Sequence, residues 1–282
     1  MVGNPGRGVA TIIEMVNHTR LDCVLGAAAG MRSGVEQAIW HADHRAAFGR
    51  LLSQQPLMRA VLADLAVESE AATAMALRLA RAYDEAAGDV DALRFMRLAT
   101  AVAKYWTCKR WPAHAAESLE CLGGAGYVEA SGLPRLFRES PLNGIWEGSS
   151  NVICLDVLRA LARDPGALEL FLDEVEIAAG ADASLDAAVA ALRADLAASE
   201  GLEARARSIL ERMALVLQGS LLVRHAPYAL ADAYCASRLG GHSGRAFGTC
   251  RPAPTSRRSS TGRGRACRRG LKTPPAVANL RP

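Results

Sequence analysis

Apolar residues recur along this chain at the spacing of an α-helix and almost nowhere at the spacing of a strand. Within residues 9–46, Val24, Ala28, Met31, Val35 and Ile39 follow one another at three- and four-residue steps, which lines one helix face. The stretch AAFGRLLS at 46–53 contains a glycine and predicts a turn. A second helix is expected from Pro56, since a proline loses nothing in a first turn. Its apolar face is Leu57, Val61, Leu65, Ala72, Met75 and Leu79, and Gly88 marks its end. A third helix is expected from Val90 to Leu122, bent or split at Pro112.

Gly123, Gly124 and Gly126 then break the chain, and Pro134, Pro141 and Gly144 predict a loop over 128–148. Ser149 or Ser150 is positioned to cap a helix running to Arg163, and Asp164-Pro165 is a second cap signal for a helix over 165–179. Further helices are expected at 184–199, 202–222 and 226–239. The fold class that follows is all-α: a long-helix bundle over 1–163, a second small helical domain over 165–248, and a disordered basic tail over 249–282.

Composition agrees with helices. Apolar residues make up 50%, charged residues 22% and aromatics only 5% of the 282 residues, too apolar for wholesale disorder and too poor in aromatics for a β-sandwich. The longest uncharged apolar run, Met213 to Val223, is too short to span a bilayer, and the first residues do not read as a secretory signal. Seven scattered cysteines lack zinc or redox spacing and fit reduced thiols in a cytoplasmic protein.

The net charge of +4 conceals an asymmetry. Residues 251–282 hold eight arginines and one lysine with no acid, whereas the first 250 residues hold 24 basic groups against 29 acidic ones. Bulk charge therefore suits phosphate only in the tail. A natural basic arm, an out-of-frame extension and a folded basic module all remain open there.

Three places carry candidate chemistry. GGAGY at 123–127 follows a helix and not a strand, which excludes a Rossmann fingerprint and leaves a helix-ending turn or a ligand loop. In IWEGSSN at 145–151, Glu147 stands between Trp146 and Gly148, ahead of a helix start. It is either a solvated loop glutamate or a proton abstractor. Arg45, three residues before Phe48, suits a planar phosphate-bearing ligand or, more plainly, a helix C-terminus. His41 and His44 share a helix face but have no third metal ligand nearby in sequence.

Taken together and in order, GRGVATIIEMVNHTRLD, HADHRAAFGRLLSQQPLMRAVLADLA, ECLGGAGYVEASGLPRLFRESPLNGIWEGSSNVICLDVLRAL and LLVRHAPYALADAYCASRLGG resemble the C-terminal helical part of the acyl-CoA dehydrogenase flavoenzymes, and within them the AidB-like, alkylation-response branch. The resemblance implies FAD as cofactor and α,β-dehydrogenation of an acyl-CoA thioester. It implies Glu147 as the base, Arg20 near the CoA end of the acyl site, Trp146 as a second substrate-side residue, and Ser149 and Asn151 near the flavin. It implies that Arg45 and Phe48 touch the FAD of a neighbouring subunit in a homo-oligomer, and that Glu120, Gly123 and Gly124 support its pyrophosphate side.

The family usually has glutamine where Glu120 stands. Relatives that keep their base on the first helix place it at the position of Thr19, which cannot serve. The alternative implied by the branch is double-stranded DNA binding through the second helical unit, with Arg212, Arg224 and Arg238 as candidates. The family also places a helical and a β-domain ahead of this segment, so the expectation is a truncated member with weak activity alone or one with a separately encoded N-terminal partner. A shared flavin slot joining Glu147 to the loop after residue 122 is expected on this reading.

Overall fold

A computed structural model describes residues 3–198 and 200–250. Three long helices form its centre: α1 (Gly8–His44), α2 (Pro56–Glu85) and α3 (Val90–Glu120). The α1 face read from periodicity is real: Val24, Ala28, Met31 and Val35 are buried. On α2, Leu65, Ala72, Met75 and Leu79 are buried, but Leu57 is exposed, because the first turn of α2 lies beyond the packed face. Pro56 opens α2 as expected, and the Asp89 carboxylate caps α3 by accepting from the Asp91 and Ala92 amides.

Close approach of α1 to α3 depends on glycine. A Cβ on Gly30 would lie 2.1 Å from the Trp111 ring, and one on Gly34 would lie 2.9 Å from the Ser118 hydroxyl. Pro112 does not split α3, which runs unbroken for 31 residues. The Cys108 carbonyl, four residues earlier, loses its helical donor and lies near Gly144.

Between α1 and α2 the chain makes a two-residue-per-strand hairpin, β1 (Ala46–Ala47) with β2 (Arg50–Leu51), turning through Phe48 and Gly49 at positive φ. The segment expected to be a loop is instead a string of short helices. α4 (Gly124–Tyr127) and α5 (Leu133–Glu139) alternate with single 3-10 turns at Glu129–Ser131 and Leu142–Gly144. Pro134 falls in the first turn of α5, where it is tolerated. The glycines at 124 and 126 therefore lie inside a short helix, and Gly126 is required there because a Cβ would overlap the Leu119 carbonyl.

The remaining helices are α6 (Ser150–Arg163), α7 (Pro165–Glu176), α8 (Ala183–Ala197), α9 (Leu202–His225) and α10 (Tyr228–Tyr234), the last continuing into a π-helical turn at Cys235–Leu239. Asp164 does not cap α7 with its side chain and instead pairs with Arg94 at 3.1 Å. One apolar cluster runs from Cys23 in α1 through α3, α6, α7 and α9 to Cys235, so it joins the 1–163 and 165–248 spans. The chain is thus an all-α bundle. All six cysteines among the described residues are free. The basic tail from 251 lies outside the described residues.

Candidate functional site

The loop containing Glu147 is held from below by two cations. Lys104, on α3 and only 1% exposed, donates through Nζ to the Trp146 carbonyl at 2.7 Å and the Gly148 carbonyl at 2.6 Å. Arg20, on α1, donates through Nε to the Glu147 carbonyl at 2.9 Å, and its Nη2 pairs with Asp156 of α6 at 3.2 Å. Three successive carbonyls thus turn inward. Glu147 takes a positive φ of 57°, a conformation that L-residues other than glycine adopt rarely. Gly148, at φ 106°, leaves only 3.2 Å between an added Cβ and the Arg20 guanidinium.

Trp146 is fixed as well. Its indole N–H donates to Asn143 at 3.1 Å, and the Asn143 amide donates to the Cys23 carbonyl of α1 at 3.3 Å. Around the half-buried Glu147 the surface is apolar: Ile145, Trp146 and Val152 are exposed. Ser149 occupies the N-cap position of α6, but its hydroxyl makes no capping bond. Asn151 accepts from Arg207 of α9 at 2.8 Å. Thr19 folds its hydroxyl back onto the Val16 carbonyl at 3.1 Å.

Burial sets the electrostatics beneath this loop. Desolvation pulls the Lys104 ammonium below its ordinary value, and the nearby Arg20 charge adds to that. Burial pushes the Cys23 thiol up, and pushes Cys108 up to about 12. Lys104 therefore has no thiolate to pair with at neutral pH, and carbonyl dipoles carry its solvation.

Arg45, Glu120, Gly123 and Gly124 meet elsewhere. They line a surface groove of about 490 Å³ together with His41, Ala47, Leu52 and the backbone to Ala125. Arg45 and Glu120 are exposed, and a Cβ on Gly123 or Gly124 would meet nothing within 4 Å, so the backbone there is open to a ligand. Phe48 stands 95% exposed at the hairpin tip.

These two groups do not share a slot. Arg20 and Arg45 lie 25 residues apart along α1, roughly 37 Å at helical rise. The expected junction of Glu147 with the loop after residue 122 is therefore corrected: within one chain they sit toward opposite ends of the bundle.

The arginines named for DNA are also spoken for. Arg224 pairs with Glu174 at 2.6 Å, and Arg238 pairs with Asp64 and Glu68, both guanidiniums being largely buried. Arg212 pairs with Asp195. The inward turn of α10 brings Arg238 against α2, which the linear sequence does not reveal.

Sequence reading overlooked Lys104, Asn143 and Asp156. The one available signal was Lys104 itself, a lysine inside the apolar run LATAVAKY and in phase with buried Ala101 and Cys108.

A bundle of this shape, with a glutamate loop seated on the first and third helices, defines a class. Residues 6–162 match the family described as "Acyl-CoA dehydrogenase, C-terminal domain", and the chain belongs to the acyl-CoA dehydrogenase family. Among particular proteins it is similar to AidB of Escherichia coli strain K12, 42% identical over 244 residues, which covers 86% of this chain and 44% of that one. The crystal structure of Caenorhabditis elegans ACDH-11 in complex with C11-CoA superposes with a TM-score of 0.75 at 28% identity, covering 89% of this chain and 45% of that chain. An acyl-CoA dehydrogenase of Bacillus anthracis complexed with FAD shares the fold, with a TM-score of 0.68 at 17% identity over 84% of this chain and 49% of that chain. The chain spans less than half the length of these relatives. Among the described residues no helix is long and apolar enough to cross a membrane.

Proposed function

We propose that this chain serves the FAD-dependent α,β-dehydrogenation of an acyl-CoA thioester, with Glu147 as the base and with two half-sites contributed by different copies in a homo-oligomer. The observation that carries this reading is the hydrogen bond from Arg20 to the Glu147 carbonyl, which stands the base and the arginine of the CoA end side by side. Glu147 removes the α-proton. FAD, when bound, supplies the acceptor for the hydride leaving the β-carbon. Trp146 and Ile145 would cover the acyl side when substrate is bound, and Ser149 and Asn151, at the start of α6, would border the flavin.

The second half-site is the Arg45 groove. An exposed guanidinium beside open glycine backbone suits a pyrophosphate. The Glu120 carboxylate on the same rim opposes it, so Arg45 and the backbone amides of Gly123 and Gly124 carry the binding, with Phe48 against the neighbouring copy's cofactor. The distance between the two groups supports a site shared between copies. Residues 1–163 carry the chemistry on this reading, and 165–248 form a supporting unit. Duplex DNA finds little support in the second unit, since Arg224 and Arg238 are committed to buried carboxylates.

The test is oxidation of a saturated acyl-CoA with an artificial electron acceptor. It is run on the chain alone and with the preceding domains of the AidB relative supplied in trans. Glu147→Gln is expected to keep flavin absorbance and to lower turnover by at least about 100-fold. Unchanged turnover in that variant would remove Glu147 from the reaction.

A further inference from the structure

Lys104 is a buried charge that no carboxylate hydrogen-bonds. The residue is 1% exposed and its ammonium has no carboxylate among its hydrogen-bond partners; both bonds go to carbonyls of the Glu147 loop. An ammonium removed from water is expensive unless polar groups replace its hydration. If the position only filled space, an apolar residue of the same length would do so at lower cost. The two carbonyls that Lys104 holds belong to the residues flanking Glu147. The carbonyl between them is held by Arg20, which Asp156 anchors in turn.

This arrangement bears directly on a strained residue. Glu147 holds φ at 57°, which persists in an L-residue only where the surroundings over-determine it. With the carbonyls of 146, 147 and 148 all fixed inward, rotation of either peptide beside Glu147 breaks a hydrogen bond to Lys104 or to Arg20. Arg20 alone does not achieve this. It grips one carbonyl and is itself partly open to solvent, whereas Lys104 clamps both flanks from the core.

We infer that Lys104 is a positioning residue: its buried ammonium locks the Trp146–Gly148 backbone and so fixes where the Glu147 carboxylate stands. The consequence for catalysis rests on the reading of Glu147 as the base, but the lock itself does not.

Hydrogen exchange on the full chain separates the two. Lys104→Met is expected to speed amide exchange in 145–149 by about tenfold or more, while amides of α2, α7 and α9 keep their protection. Lys104→Arg, which keeps the charge with a different fork, is expected to fall between. Should the methionine variant fail to fold, the unaltered protein gives the same answer through pH.

The charged and titratable groups facing Lys104 are Arg20 and Cys23 from α1, Cys108 from α3 and Glu147 from the loop. Burial raises both thiols and lowers Lys104, so the Lys104 ammonium loses its proton below the ordinary lysine range. After correction for intrinsic rates, exchange in 145–149 is then expected to quicken selectively as pH rises, beginning below the ordinary lysine range. Unchanged exchange at 145–149 in the variant, or in the pH series if that is the measurable arm, overturns the lock. Where thioester oxidation is measurable, Lys104→Met is expected to lower kcat with KM little changed. Loss of protection in Lys104→Met together with unchanged turnover in Glu147→Gln would retain the lock and discard the base.

Discussion

Glu147 occupies a backbone conformation that would suit glycine better, and a side chain there costs about 1–2 kcal/mol. The sequence offers glycine one position later, so the strain is specific to the residue bearing the carboxylate. Glu147→Gly is therefore expected to be at least as stable as Glu147→Gln, by up to about 1 kcal/mol, in urea unfolding. Lower stability of the glycine variant would mean that the side chain contributes packing which outweighs its backbone strain. At this scale the sequence named the glutamate and its neighbours from a motif. It named Arg20 but not its grip on the Glu147 carbonyl, and it did not reveal Lys104 at all, because these partners are carbonyls 42 to 127 residues away.

At the scale of elements, α1 and α3 owe their contact to small residues at the crossing. A methyl group on Gly30 would enter the Trp111 indole, which is buried and has no room to yield. Gly30→Ala is expected to cost about 1–3 kcal/mol with the denaturant slope unchanged. Gly88→Ala, where an added Cβ meets nothing within 4 Å, is the control and should be near neutral. Most helix boundaries were legible within about three residues, and the starts at Pro56, Val90, Pro165 and Leu202 without error, because caps and periodicity agree. Pro112 and the 128–148 segment were not, since packing against α1 keeps α3 continuous and folds a proline-rich stretch into short helical turns.

For the whole molecule, the decisive contacts between early and late parts of the chain are ionic as well as apolar. Glu174 of α7 accepts from Arg78 of α2 at 2.8 Å and from Arg224 of α9 at 2.6 Å, all three side chains being largely buried. Burial by itself would raise the Glu174 carboxyl, but the hydrogen bonds from Arg78 and Arg224 outweigh it and hold it below the usual carboxylate range. A carboxyl whose folded value is lowered stabilises the fold fully above its unfolded value. That stabilisation is lost as pH falls through the folded value. Glu174→Gln is expected to cost about 3 kcal/mol near neutral pH, because two guanidiniums lose their anion. The gap to the parent should close as pH drops below about 4, followed by urea unfolding across the acid range. A gap constant with pH would assign the effect to shape and not to charge.

What the sequence determined by itself was local: which stretches are helices, which faces are apolar, and that a glutamate loop and an arginine–glycine segment belong to a flavoenzyme family. These follow from residues within a few positions of one another, where helical periodicity and motif spacing are written directly. Tertiary structure alone decided that Glu147 and Arg20 touch, that Glu147 and Arg45 lie toward opposite ends of the bundle, and that the arginines of α9 and the turn after α10 face carboxylates within the fold. The reason is geometric. A 37-residue helix fixes how far apart its two ends must be, but only packing chooses which distant segment meets each end.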